Sequence, residues 1–150
     1  MHRREAITTF GAAAAGVAGL AFAANAQPAK EAMPMRKSGS AWENCANASS
    51  ACVMACGKVS DHCTKLADSG KAGHAMMAAM AGACGECCTT MMSLSSRMSM
   101  MAPFMAEGCA KCCDECAADC DKMEGELMKA CAKACRDCAV ACREVAKKAG

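Results

Sequence analysis

The sequence predicts an all-α protein, an antiparallel up-down-up-down four-helix bundle with a cysteine-lined core. Three observations carry this prediction. After residue 40 alanine dominates, β-branched residues are few and Pro103 is the only proline, a composition that favours helix. Helix-breaking residues then fall at Asp68-Ser69-Gly70 through Gly73, at Ser99 to Pro103, and around Gly125, dividing the segment into four pieces of similar length. Finally, cysteines recur along each piece at helical spacing.

The first helix is expected over 41–68. Its Cys45, Cys52, Cys56 and Cys63 are spaced 7, 4 and 7, and those 18 residues make five turns at about 3.6 residues per turn, so all four fall on one narrow stripe. No strand aligns them. The second helix is expected over 73–99, with Met77, Met80, Cys84, Cys87, Cys88, Met91 and Met98 on one face. The third, over 103–123, opens on Pro103, which suits the first turn of a helix. It carries Met105, Cys109, Cys112, Cys113, Cys116, Cys120 and Met123, with Leu127 just beyond. The fourth, over 126–148, carries Cys131, Cys135, Cys138, Cys142 and Val145. Lys111, Asp114, Lys133, Arg136 and Arg143 occupy the opposite faces, so all 16 cysteines are expected to point inward. Short connections between helices of similar length place sequential helices antiparallel.

The core must be built of sulfur. After residue 26 there are three Leu, four Val, one Phe, one Trp and no Ile, against 16 Cys and 14 Met. An ordinary aliphatic core cannot be assembled from that inventory. The formal charge of +2 is spread along the chain, without the basic and aromatic clusters that nucleic-acid binders use. No apolar run after residue 26 approaches the roughly 20 residues needed to span a bilayer.

Residues 1–26 read as an export signal: Arg3-Arg4, a weakly hydrophobic Ala/Gly-rich stretch from Phe10 to Ala24, and Ala24-Asn25-Ala26 as the cleavage site. The arginine pair resembles a twin-arginine signal, although Ala6 stands where such signals usually carry Phe, which leaves Sec export open. The expected destination is the bacterial periplasm. Residues 27–40, with Pro28, Pro34, Ser38 and Gly39 and no apolar period, read as a flexible arm before the four-helix bundle of 41–150.

Seven cysteine pairs stand four apart: Cys52/Cys56, Cys84/Cys88, Cys109/Cys113, Cys112/Cys116, Cys116/Cys120, Cys131/Cys135 and Cys138/Cys142. At i and i+4 on a helix the Cβ atoms lie about 5–6 Å apart, whereas a disulfide wants about 3.5–4.5 Å, so these pairs resist closure. Their sulfurs reach roughly 4.5 Å, about twice a metal–thiolate bond, which suits one ion held linearly. Soft thiolates select Cu(I), which accepts two or three ligands, while zinc wants four in a tetrahedron. Several other chemistries fit poorly. Disulfide-dense folds are rich in loops, whereas every cysteine here sits within a helix. The ferredoxin run fails at Glu115, which stands where the third ligand after Cys109 and Cys112 is required. There is no Cys-x-x-Cys-His for haem, no tyrosine, and no acid or base clearly on a core face, so no enzyme role is expected. A zinc buffer, or a general thiol-metal detoxification protein, is the alternative.

An export signal followed by four cysteine-striped helices rich in Cys-x-x-x-Cys resembles the bacterial copper storage proteins, over about residues 41–148. The resemblance implies storage of many Cu(I) ions inside the bundle, a tetrameric assembly, and supply of copper enzymes such as methane monooxygenase. It also implies a mouth at one open end guarded by Met and His. Connections 1–2 and 3–4 share an end of an up-down-up-down bundle, gathering His62, His74, Met76, Met77, Met80, Met123 and Met128 there. Helical phase puts Met77, Met80 and Met123 inside and both histidines about 90–100° off the stripes. At the other end Trp42, Phe104 and Val145 are expected to form an apolar plug over Met98 and Met105. Capacity would run from ~8 ions without shared sulfurs to ~16 with bridging thiolates.

Overall fold

The computed structural model describes residues 40–148, and the expected export signal and all of the arm before Ser40 lie outside the described residues. Four helices follow in order: α1 Ala41–Asp68, α2 His74–Ser96, α3 Ala102–Asp121 and α4 Glu126–Ala146. Each packs on its two neighbours to close a ring, most extensively α1 on α2 and α3 on α4, while α2 and α3 touch least. This is the expected four-helix bundle. Among the described residues no helix is long and apolar enough to cross a membrane.

The helix ends follow from local chemistry. After α1, Gly70 takes a left-handed φ of 83°, and the N–H groups of Gly70 and Lys71 return to the carbonyls of Ala67 and Leu66. That is the Schellman arrangement, which satisfies carbonyls the helix leaves open. Helix α2 ends the same way, with the N–H groups of Met98 and Ser99 donating to Ser95 and Leu94, but here the left-handed residue is Met98 (φ 49°). A side chain in that region costs roughly 1–2 kcal/mol. The motif stops α2 at Ser96 rather than at 99, and rotates Met98 outward.

Within each helix the buried positions alternate three and four apart. They are Trp42, Cys45, Ser49, Cys52, Cys56, Val59 and Cys63 on α1, and Met77, Ala81, Cys84, Cys88, Met91 and Ser95 on α2. On α3 the stripe is Ala102, Ala106, Cys109, Cys113, Cys116 and Cys120, with Pro103 buried beside it, and on α4 it is Met128, Cys131, Cys135, Cys138, Cys142 and Val145. This is the heptad spacing of helices packed nearly parallel to a common axis. Buried alanines such as Ala110, Ala117, Ala132 and Ala139 flank the α3 and α4 stripes and let those backbones approach.

The heptad phase corrects two expectations. Cys87 and Cys112 are half-buried rather than inward. They precede Cys88 and Cys113, and adjacent residues point about 100° apart, so only one of each pair can face the axis. The apolar plug also differs. Trp42 and Val145 are buried, but Phe104 is 68% exposed, and Met98 and Met105 are exposed too. The α3 stripe runs back from Cys109 through Ala106 and Ala102, which turns Met105 and Phe104 out of the core.

The surface is held by ion pairs within helices, such as Lys133–Asp137 at 2.6 Å, and by two that join α3 to α4, Arg136–Asp121 and Arg143–Asp114. Exposed pairs of this kind add little stability. The sulfur-rich interior carries the fold.

Candidate metal centre

All sixteen cysteines are free, and all but Cys87 and Cys112 are buried. The heptad stripes bring the buried ones in toward the bundle axis. The pairs four apart have Sγ–Sγ distances of 3.8 Å for Cys52/Cys56, 4.0 Å for Cys131/Cys135 and 3.9 Å for Cys138/Cys142. Pairs between helices are just as close: Cys88–Cys113 is 3.5 Å, Cys52–Cys135 3.6 Å, Cys45–Cys142 and Cys56–Cys135 both 3.7 Å, and Cys84–Cys113 3.8 Å.

The column resolves into overlapping groups whose sulfurs lie within 4.8 Å of one another: Cys52/Cys56/Cys84/Cys135, Cys52/Cys88/Cys113/Cys138, Cys56/Cys116/Cys131/Cys135, and Cys109/Cys138/Cys142. Each draws on at least two helices. At a metal–sulfur bond of about 2.3 Å, sulfurs stand ~4.6 Å apart across a linear ion, ~4.0 Å in a planar triangle and ~3.8 Å in a tetrahedron. The groups span up to 4.8 Å, which accommodates linear pairs on single helices as well as three- or four-thiolate sites drawn from several helices. Every group is made of thiols alone, which favours soft ions and disfavours Mg²⁺ and Ca²⁺ with their oxygen ligands. Cys52, Cys56, Cys135 and Cys138 each belong to two groups, so full occupancy requires thiolates that bridge ions.

Hydrogen bonding among the buried thiols shifts neighbouring members of the column in opposite directions. Cys45 is lowered to about 7, chiefly by its hydrogen bond with Cys142, with Ser95 and Ser49 contributing. Cys52 is lowered to about 6 and Cys109 to about 5, each first through Cys113. Cys84 and Cys138 are also pushed down, through Cys113 and Cys109 respectively. Their partners move the other way: Cys88 and Cys113 are pushed up, each first by its hydrogen bond with Cys109. Hydrogen bonds among neighbouring thiols favour the charged form of some and the neutral form of others, so protons are shared along the column. An ion arriving in the column replaces those shared protons.

The ends differ. At the end shared by the α1–α2 and α3–α4 connections, a groove of about 340 Å³ is lined by Ala72, Gly73, Met76, Met77, Asp119, Lys122 and Met123. It brings together three of the residues expected at a mouth, Met76, Met77 and Met123. Met77 and Met128 are buried, Met80 and Met123 are half-buried against the core, and Met76 is exposed. His62 is exposed; His74, half-buried at the start of α2, keeps a buried Nδ1 without a hydrogen-bond partner. Neither histidine lines the groove, nor do Met80 and Met128. At the opposite end two hydroxyls enter the column, which the cysteine pattern did not reveal. Ser49 lies 3.5 Å from Cys138 Sγ and 3.9 Å from Cys45 Sγ, and Ser95 is buried nearby on α2. Their signal was positional: Ser49 stands four residues after Cys45 and three before Cys52, on the stripe itself.

The exposure difference predicts an order of reaction. In the reduced metal-free protein, Cys87 and Cys112 are expected to be alkylated by iodoacetamide before any other cysteine, because thiols reached only by opening the bundle react slowly. Peptide mass spectrometry over a time course reads that order; early labelling of Cys113 or Cys138 would contradict the packing.

No curated protein matches the chain. Among solved structures, a protein from Nitrosospira multiformis is similar, with 28% identity and a TM-score of 0.64 over 72% of this chain and 96% of that one. The family model described as copper storage protein matches residues 38–147, which takes in all four helices and every cysteine, and the chain therefore belongs to the copper storage protein family.

Proposed function

We propose that the protein stores many Cu(I) ions on the thiolates of its core, by binding without turnover. The single observation that carries this reading is the column of buried thiols with Sγ–Sγ distances of 3.5–4.0 Å, shared among overlapping groups along the bundle. A carrier of one ion needs two or three such ligands; this column supplies several sites at once. Cu(I) accepts two or three thiolates and tolerates bridging, so neighbouring groups can fill together. Helix packing places the ligands before metal arrives. The Met76, Met77 and Met123 groove supports a mouth at that end, where neutral thioethers bind Cu(I) softly enough to pass it on. The further parts of the reading are export to the periplasm, a homotetramer and supply of copper-requiring enzymes.

Zinc is the second reading, favoured by the groups of four thiols within 4.8 Å, which also suit a tetrahedral ion. Anaerobic titration of the reduced protein with Cu(I) against a competing chelator separates the two. Storage predicts tight uptake of ~8 to ~16 ions per chain, the upper value requiring bridged thiolates. Saturation near one ion would sink storage. Retention of Zn²⁺ against equimolar Cu(I) would favour the buffer.

A further inference from the structure

The two half-buried cysteines share one seam. Cys87 on α2 lines a groove of about 410 Å³ with Glu86, Thr90, Met91, Phe104, Met105, Gly108 and Cys109. Cys112 stands four residues beyond Gly108 on α3, on the helix face that carries Phe104, Met105 and Gly108 into the groove, and is half-buried there. The seam lies between the two neighbouring helices that touch least. Gly108 borders open space in the groove: a Cβ added there would meet nothing within 4 Å, so a larger side chain can be placed there without a clash. Cys109, on the floor of the groove, belongs to the Cys109/Cys138/Cys142 group, and Cys84 belongs to another. Thiols therefore run from solvent to the core column through the side of the bundle, away from the Met76/Met77/Met123 groove at its end.

We propose that Cys87 and Cys112 form a lateral Cu(I) exchange site in the α2–α3 groove, through which ions pass between the core thiolates and small thiols outside. The inference rests on the storage reading. Two thiols half-open to solvent are poor for retention and well placed for ligand exchange. In the outward step the Cys87 thiol gives up its proton and forms one Cu–S bond while the bond to Cys84 breaks. Cys84 takes up a proton, and the copper remains Cu(I) throughout. Cys112 enters in the same way, releasing its proton as a second core Cu–S bond breaks and that core sulfur is reprotonated; a small thiol then displaces Cys87 and Cys112 in turn, one Cu–S bond and one proton at a time. Exposed Met105 adds a thioether at the rim of the groove.

The test is release of Cu(I) from the loaded full chain to excess bathocuproine disulfonate, with glutathione as the shuttling thiol. In the C87S/C112S variant the glutathione-assisted rate is expected to fall about tenfold, as the barrier rises for want of the exchange ligands, while the other sites still fill. Gly108→Leu keeps every thiol and improves helix propensity, so it should fold and bind the full complement. By filling the groove it is expected to slow assisted release to a similar extent. Wild-type rates in both variants would overturn the exchange site while leaving storage intact, as would loss of assisted release in M77L/M123L alone. If the wild-type chain held no more than one ion, the storage reading would fall, and the exchange site with it.

Discussion

Loading the reduced protein with Cu(I) is expected to raise its melting temperature by roughly 15–30 °C, and removing the metal with a chelator should reverse the shift. A ligand that binds only the folded state at a thousandfold excess over its Kd stabilises by about 4 kcal/mol per site. For a domain of this size each kcal/mol moves the midpoint by roughly 4 °C, so one or two such sites give the shift. Cysteines of the unfolded chain also bind copper, which offsets part of the gain, but they lack the fixed sets such as Cys52/Cys88/Cys113/Cys138. Far-UV circular dichroism against temperature reads both states. The metal-free spectrum is expected to be helical, because the heptad packing needs no ion; an unfolded apo protein would refute preorganised ligands.

Replacing Cys113 and Cys138 together by alanine is expected to lower the Cu(I) complement by ~2–4 ions, since the central group falls from four thiols to two and the Cys109/Cys138/Cys142 group from three to two. Both belong to the group that includes Cys52 and Cys88, and Cys138 also links to Cys109 and Cys142. Cys113 stands 3.5 Å from Cys88 and Cys138 stands 3.8 Å from it, so the pair removes the centre of the column. Alanine suits both helices and the core already tolerates it at Ala110 and Ala139. The helical signal should therefore persist while metal is lost. Copper quantified after gel filtration gives the count. A full complement held against the same chelator would show that these cysteines are packing residues.

The two experiments probe different levels of the same arrangement. Thermal stabilisation reports that copper binds the folded bundle, whereas the double alanine variant reports which thiols hold it. The side groove adds a third, kinetic level, because Cys87 and Cys112 can govern exchange without contributing much to retention.

Much of the fold was legible in the residues. The stripe from Cys45 to Cys63, the breaks at Gly70 and Gly125 and the position of Pro103 imply four helices with thiols on their inner faces. What misled was treating each inner face as broad. Cys87 with Cys88, and Cys112 with Cys113, cannot both point at one axis, and the adjacency itself was the available signal. Phe104 and Met105 show the same limit: counting back four residues from Cys109 reaches Met105, whereas the heptad steps back three, to Ala106.

Helix, phase along each helix and softness of the ligands were determined by the sequence alone, because they depend on propensity, on a period of about 3.6 residues and on the chemistry of sulfur. How each helix rotates about its own axis, and how far apart neighbouring helices stand, was decided only by tertiary packing. Those two quantities set the distances between thiols on different helices, such as 3.6 Å for Cys52–Cys135. They turn pairs on single helices into shared clusters of three and four, and they leave Cys87 and Cys112 at the looser seam between α2 and α3.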